Sequence, residues 1–187
     1  MSEELWKVKY VVYRQKEGQV GRFESYDLEI HPEEYVLDGV EKIWAFHDRS
    51  LSFRHACHHS TCGACGMVVN GKEKLTCITK IKDVTTNGGT LRVEPMRNFP
   101  ILSDLVVDLG VLYAKMDKVK AKSVIPLWQQ PAKPGIAREK NGKSEAEIIR
   151  LVDCIECGLC ISACPVAATT PDYLGPAVLA AIQVQGL

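Results

Sequence analysis

The sequence lacks an excess of charge of either sign. Its 187 residues contain 23 lysines and arginines and 23 aspartates and glutamates, so the formal net charge is zero. The basic and acidic residues are also balanced within each half of the chain. Because a nucleic-acid-binding surface requires a concentration of basic residues, we expect no nucleic-acid partner.

Long hydrophobic runs are also missing. The longest uncharged stretches, Cys157–Pro171 and Tyr173–Leu187, contain 15 residues each and are interrupted by glycine, proline or polar residues. A membrane-spanning helix requires about 20 mostly apolar residues, and the acidic start of the chain does not resemble a secretory signal peptide. We therefore expect that work at a membrane would require a partner that holds the chain there.

The sequence contains no glycine-rich G-x-G-x-x-G segment of the kind that binds dinucleotides. Any flavin would therefore have to be bound by a partner protein. Cysteine, in contrast, is abundant, and all eight cysteines lie in two short segments, Cys57 to Cys77 and Cys154 to Cys164. Disulfide frameworks are typical of secreted domains, so this clustered spacing favours metal binding over disulfides.

The first cysteine group has the spacing C-x4-C-x2-C-x11-C, formed by Cys57, Cys62, Cys65 and Cys77. The plant-type [2Fe–2S] pattern is C-x4-C-x2-C followed by a more distant cysteine. A loop that wraps closely around a cluster favours small side chains, and three such residues lie between or beside these cysteines: Gly63, Ala64 and Gly66. The first half of the chain is thus predicted to bind a [2Fe–2S] cluster.

Zinc and Rieske sites are the alternatives for this group. A structural zinc site would use two Cys-x-x-Cys pairs, whereas Cys57 and Cys77 do not form a second pair. A Rieske site requires two histidine ligands, and the segment after Cys77 contains none. We expect His58 and His59 to be exposed loop residues, with a pH effect on the cluster potential as an alternative role.

The second cysteine group, Cys154 to Pro165, has the ferredoxin spacing C-x2-C-x2-C-x3-C-P. In two-cluster ferredoxins the fourth cysteine of this run binds a different cluster from the first three. Cys154, Cys157 and Cys160 would surround one [4Fe–4S] cube, while Cys164 begins a helix that leads away. No further cysteine follows, so the predicted site is incomplete within this sequence.

The hydrophobic patterns predict an α+β protein with two domains, residues 1–100 and 101–187. In the first domain they predict a β-hairpin, a helix, a tight turn and a closing strand: Trp6–Tyr13 with Arg22–Ile30, Val36–Trp44, Asn70–Gly71 and Leu91–Glu94. In the second domain they predict helices over Leu102–Met116 and from Pro176 onward.

With these two groups in this order, the chain resembles the iron–sulfur subunit of succinate dehydrogenase and fumarate reductase. The cysteine runs are specific, and the Met96–Asp108 string is more specific still, because generic ferredoxins do not share it. The segments that support the resemblance are Leu51–Cys57, Gly63–Met67, Asn70–Lys72, Pro95–Asp108, Cys154–Pro165 and Tyr173–Ala177.

The resemblance implies a plant-ferredoxin-like β-grasp domain followed by an all-α helical ferredoxin domain. It implies [2Fe–2S], [4Fe–4S] and [3Fe–4S] clusters that carry electrons between an FAD subunit, which interconverts succinate and fumarate, and quinone at a membrane-anchor subunit. The chain itself would have no catalytic residue and would lie peripherally on the cytoplasmic face of the membrane. Carried over residue by residue, the implied ligands are Cys57, Cys62, Cys65 and Cys77 for [2Fe–2S], Cys154, Cys157 and Cys160 for [4Fe–4S], and Cys164 for [3Fe–4S].

The chain departs from the family pattern in two places. The family has a further downstream cysteine group that completes both C-terminal clusters, and this sequence ends before it. We expect the sequence to be a fragment of a longer protein. The alternatives are that another chain supplies the missing ligands, or that the two C-terminal clusters are not both built. Where family members often carry a tryptophan-rich stretch that helps bind quinone, this chain has Val166–Pro171, so a thiol/disulfide couple or another acceptor is an alternative.

Two other classes of function are further alternatives. A free-standing ferredoxin-type carrier would need neither the predicted helix Leu102–Met116 nor the proline-rich segment 125–143. A zinc or interaction module without redox activity would be colourless and would give no EPR signal after reduction.

Overall fold

The computed structural model describes residues 4–121 and 154–185. The chain divides into two compact units, residues 1–108 and 109–187. The proline-rich segment 125–143 lies outside the described residues. Within the described ranges, no helix combines the length and apolar character needed to cross a membrane.

The first unit is built on a mixed five-stranded sheet in the order β2-β1-β5-β3-β4. Strands β1 and β5 are parallel, and the other neighbouring strands are antiparallel. The predicted hairpin, tight turn and closing strand are confirmed. The strands are β1 (Trp6–Arg14), β2 (Arg22–Ile30), β3 (Gly66–Val69), β4 (Lys72–Leu75) and β5 (Thr90–Glu94).

Alternation along β1 creates the core of this unit. Val8, Tyr10 and Val12 are buried, while Lys7 and Lys9 between them are exposed, as expected for a strand with one buried face. The core is completed by apolar side chains of helix α1 (Val36–Lys42) and of the single π-helical turn that follows, Ile43–His47. The predicted helix at Val36–Trp44 is thus confirmed, and the sheet and helix together form the β-grasp fold.

The predicted helix Leu102–Met116 is wrong in its first half. Ile101–Ser103 (β6) and Val106–Val107 (β7) form an antiparallel hairpin, and helix α2 extends only over Gly110–Lys118. The hairpin turn is fixed by Asp104, which is buried with a positive φ of 49° and accepts hydrogen bonds from the backbone of the first unit. The first unit therefore extends to Asp108, whereas the sequence placed the boundary at residue 100.

All secondary structure described in the second unit is helical. The predicted helix start at Pro176 is confirmed, because proline lacks the N–H that the first helical turn leaves unpaired. Helix α2 contacts the last helix, and Leu112, Met116 and Val178 of these two helices are buried. The remaining helices are α3 (Leu159–Ser162), α4 (Pro165–Thr169) and α5 (Pro176–Gln185).

Candidate metal centres

The β3–β4 hairpin brings the distant fourth cysteine of the first group back to the other three. Cys65 immediately precedes β3, and Cys77 lies two residues beyond β4. Because the strands pair Gly66 with Leu75, both cysteines lie at the same end of the hairpin. Thr76 fixes this end by donating from its backbone N–H and its hydroxyl to the carbonyl oxygen of Cys65, at 3.2 and 2.9 Å.

The four thiols of the first group lie together. The Cys65 thiol influences the pKa of Cys77, and the Cys62 thiol influences that of Cys57, so the four thiols form two interacting pairs. Cys57 also acts electrostatically on Cys77, which joins the two pairs into one group. Four cysteine thiols are the donor set that a [2Fe–2S] cluster requires, so the residues present fit this group.

The two pairs of thiols differ in exposure. Cys65 and Cys77 are only 3% and 2% exposed, and they pack against Leu37 of helix α1 and against Phe53. Cys57 is half-buried and Cys62 is exposed. A cluster bound here would therefore have one protected side and one side near solvent.

Backbone amides surround the sulfur atoms of this loop. The N–H groups of His59, Thr61 and Cys62 lie 3.5, 3.3 and 3.4 Å from Cys57 Sγ, and the N–H of Ser60 lies 3.4 Å from Cys77 Sγ. Left-handed backbone makes this possible, with positive φ at three loop positions: His58, Ser60 and Gly63. Such an arrangement of amides stabilises negative charge.

The amides and the burial move the two thiol pKa values in opposite directions. Hydrogen bonds to Cys57, led by that from the His59 N–H, lower its pKa to about 6. Burial, together with the neighbouring Cys65 thiol, raises the pKa of Cys77 to about 11. Since the thiolate is the form that binds metal, Cys57 is prepared for ligation at neutral pH, whereas Cys77 has to lose its proton as metal binds.

The second group brings Cys154, Cys157 and Cys160 within electrostatic reach of one another. Burial raises the pKa of Cys154 and of Cys160. Backbone N–H groups of Ile161 and Ala177 donate to the Cys160 sulfur and act in the opposite direction. Ala177 belongs to α5, so the last helix contributes directly to this thiol site.

Cys164 lies one helix further along the chain from these three cysteines. It occupies the N-cap position of α4, and Pro165 is the first helical residue. The prediction that Cys164 begins a helix is therefore confirmed. Three thiols in one group and a fourth at the start of the next helix are consistent with the spacing of ferredoxin-type cube clusters.

Donation from backbone N–H groups of the first loop is expected from the cluster chemistry, but the individual donors, Ser60 and Ala177 among them, could not be identified because a backbone N–H has no residue type to recognise. Only Gly63 signalled the left-handed backbone of the first loop. His58 and His59 are exposed, as predicted. The ring of His58 lies beside His55 and Glu41, and the ring of His59, the residue that would begin a Rieske pattern with Cys57, contacts the carbonyl oxygen of Cys57.

Comparisons with known proteins agree with this arrangement. The sequence profile of the 2Fe-2S iron-sulfur cluster binding domain matches residues 9–114, and that of the 4Fe-4S binding domain matches residues 148–170. Among solved structures, the chain is similar to the Mycobacterium smegmatis Sdh1 complex in the apo form. The TM-score is 0.73 at 26% identity, and the match covers 96% of this chain and 75% of that chain.

Curated relatives carry closely related names. The chain is 40% identical over 90% of its length to the fumarate reductase iron-sulfur subunit of Mycobacterium tuberculosis, and 33% identical over 94% to that of Haemophilus influenzae. It is 34% identical over 77% of its length to the succinate dehydrogenase iron-sulfur subunit of Coxiella burnetii. It spans 66%, 70% and 58% of the length of these relatives. The chain belongs to the family of iron–sulfur subunits of fumarate reductase and succinate dehydrogenase.

Proposed function

We propose that this chain is the electron-transfer subunit that connects an FAD subunit, acting on succinate or fumarate, with quinone at a membrane anchor. The observation that carries the proposal is the presence of two separate thiol groups, one in each unit, in a chain of this family. A single-cluster carrier would need only one of them.

The chain's own residues would hold the clusters and adjust their charge. Cys57, Cys62, Cys65 and Cys77 would bind the [2Fe–2S] cluster, and the amides around them would stabilise the negative charge gained on reduction. The clusters, when bound, supply one-electron redox chemistry. The ligands proposed for the second unit are Cys154, Cys157 and Cys160 for a [4Fe–4S] cluster and Cys164 for a [3Fe–4S] cluster.

Partners would supply what this chain does not carry. The sequence has no dinucleotide-binding glycine motif, so the flavin and the chemistry on succinate belong to the proposed flavoprotein subunit. A membrane-anchor subunit would hold the chain at the cytoplasmic face and provide the quinone site. Ligands in addition to these four cysteines would complete the two clusters of the second unit.

The test is isolation of the native complex through an affinity tag on this chain, under anaerobic conditions. We expect a flavin-containing subunit to co-purify, and we expect addition of succinate to produce the EPR signal of a reduced iron–sulfur cluster. Addition of quinone should then reoxidise the cluster and remove this signal. Reoxidation by a disulfide but not by quinone would favour the alternative acceptor, and a flavin-free stable monomer would contradict the proposal in favour of a free-standing carrier.

A further inference from the structure

One carboxylate and two imidazoles converge on the surface of the first unit, outside both thiol groups. The Nδ1 atom of His55 lies 3.0 Å from Nε2 of His58. The Oε1 atom of Glu41 lies 3.1 Å from the former and 3.2 Å from the latter. Two nitrogen atoms and one oxygen atom therefore form a nearly equilateral triangle.

The size of this triangle matches the coordination shell of a small divalent metal ion. Zinc binds imidazole nitrogen at about 2.0–2.1 Å and carboxylate oxygen at about 2.0–2.2 Å. Ligand atoms at these distances are separated by about 2.9 Å at right-angled coordination and by about 3.4 Å at tetrahedral coordination. All three measured separations fall within that range, as binding of one ion by all three atoms requires.

The hydrogen bonding of the three residues is incomplete without such an ion. Glu41 Oε1 is buried and has no hydrogen-bond partner among the described residues. The two ring nitrogens beside it face each other instead, so one donates and the other accepts. A buried carboxylate oxygen without a donor is costly, and a cation at the centre of the triangle would satisfy all three atoms.

The fold holds these side chains in place before any ion binds. Glu41 lies on α1, whose apolar face is part of the core. The His55 ring stacks on Phe53, with ring centroids 5.1 Å apart and planes inclined by 18°. The His58 ring meets that of His55 edge-on at 5.2 Å. Such support reduces the ordering cost that metal binding would otherwise incur.

We infer that Glu41, His55 and His58 form a binding site for a divalent transition-metal ion, with Zn²⁺ as the probe that fits best. Two imidazoles and one carboxylate suit zinc and its neighbours in the first transition row, whereas calcium and magnesium prefer oxygen ligands alone. Three protein ligands leave at least one coordination position to water. The site is separate from the cysteine groups, so it does not depend on which cluster those cysteines bind.

The test is calorimetric titration of the full iron-loaded chain with Zn²⁺, with iron and acid-labile sulfide measured before and after. We expect the chain to take up one zinc ion at this site with no loss of iron. Glu41→Gln and His55→Gln should each weaken this binding by about tenfold or more, because even outer-shell changes at metal sites cost 10–100-fold.

The matched control is His47→Gln, which removes an exposed histidine of the same unit that lies outside the triangle. Its zinc affinity should equal that of the parent protein. The visible circular dichroism of the iron-loaded variants would show that each has folded around its cluster. Unchanged affinity in both Glu41→Gln and His55→Gln, or zinc uptake only in exchange for iron, would overturn the assignment.

Zinc binding at this site should also change the reduction potential of the cluster at the first thiol group, because His58 is adjacent to Cys57 in the chain. An added positive charge nearby favours the reduced, more negative form of a redox centre. We expect zinc to raise the reduction potential of the [2Fe–2S] cluster in the parent protein and not in Glu41→Gln. The expected shift in reduction potential rests on the proposed function, whereas calorimetry tests zinc binding by itself. Failure of the proposed function can therefore be distinguished from failure of the zinc site.

Discussion

At the scale of single residues, Cys77 is the most deeply buried member of the first thiol group, with 2% of its surface exposed. We expect Cys77→Ser to abolish or strongly alter the [2Fe–2S] EPR signal of the reduced protein, because a serine hydroxyl ionises far less readily than a thiol. The signal of the second group should persist. The matched control is Ile78→Ser, which changes the next, exposed position and should leave both signals intact. Loss of the second-group signal alone would show that the ligands are wrongly assigned.

Asp104 has a larger structural role than its place in a short hairpin suggests. It is fully buried and accepts hydrogen bonds from Lys16 Nζ at 2.6 Å, from Ser52 N at 2.8 Å and from Gln15 N at 2.9 Å. Its carboxylate also lies 3.3 Å from Nε of the buried Arg14. Burial by itself raises the pKa of Asp104, but these donors and the two cations outweigh it and lower the pKa below its usual value.

We expect Asp104→Asn to lower the free energy of unfolding by roughly 3 kcal/mol at pH 7, because the new amide nitrogen cannot accept the hydrogen bond from Gln15 N or from Ser52 N, and Lys16 loses its buried carboxylate partner. A carboxylate with a lowered folded-state pKa stabilises above its unfolded pKa of about 3.9 and loses that contribution as the pH falls through the folded value. The stability difference between parent and variant should therefore shrink below about pH 4. Denaturant unfolding at several pH values measures it, with the exposed Asp27→Asn as control; a difference independent of pH would contradict this account.

The extent to which the sites could be predicted differs from residue to residue. The cysteines were identifiable because cluster chemistry fixes both their residue type and their spacing. The Glu41–His55–His58 triangle was not, because α1 and the cysteine loop are brought together only by the sheet. The pairing of Arg14 with Asp104 could not be predicted for the same reason. Nothing local in the sequence indicates that two charged residues 90 positions apart share one buried site.

At the scale of elements, helix α1 packs unusually closely on strand β1 at Gly39. A Cβ atom at this position would lie 2.0 Å from Oη and 2.3 Å from Cζ of the buried Tyr10. Glycine to alanine in a helix interior ordinarily stabilises by up to about 1 kcal/mol. Here we expect Gly39→Ala to destabilise by about 1–3 kcal/mol, because the ring cannot move aside within a close-packed core.

Denaturant unfolding followed by circular dichroism measures this loss. A double-mutant cycle supplies the control: in a Tyr10→Leu background the ring is absent, so alanine at position 39 should cost much less. Equal costs in the two backgrounds would show that the close approach to Tyr10 is not the cause.

Element prediction succeeded where the local pattern and the tertiary environment agreed. Strand β1 alternates between buried and exposed residues, α1 follows helical spacing, and Asn70–Gly71 adopts the positive φ angles that a tight turn requires. It failed at Leu102, Leu105 and Val106, whose spacing matches a helix although they lie in and around the β6–β7 hairpin. The buried carboxylate between them decides the outcome, because Asp104 meets its partners only in the hairpin conformation.

At the scale of the whole molecule, the first unit has its own sheet, core and thiol group. We expect a fragment of residues 1–108 to fold cooperatively and, after reconstitution, to give a [2Fe–2S] EPR signal. A fragment of residues 1–100 lacks Asp104 and should be less stable by roughly 3 kcal/mol or fail to fold. Thermal and denaturant unfolding compare the two.

The control for this comparison is the 1–108 fragment carrying Asp104→Asn. If loss of the carboxylate is the main effect, this variant should be nearly as unstable as the 1–100 fragment. Equal stability of the fragments 1–100 and 1–108 would show that the hairpin is dispensable and that the unit ends where the sequence suggested.

The parallel pairing of β1 with β5 has a consequence for how the nascent chain matures. Residues 9–12 of β1 can pair only after residues 90–93 of β5 have been synthesised. One edge of the N-terminal hairpin is therefore unpaired while the cysteine loop emerges from the ribosome. Sheets closed by such distant segments form late in folding, and open edges in the meantime invite intermolecular pairing. Iron delivery need not precede that closure, since Cys57 and Cys62 remain accessible on the finished surface.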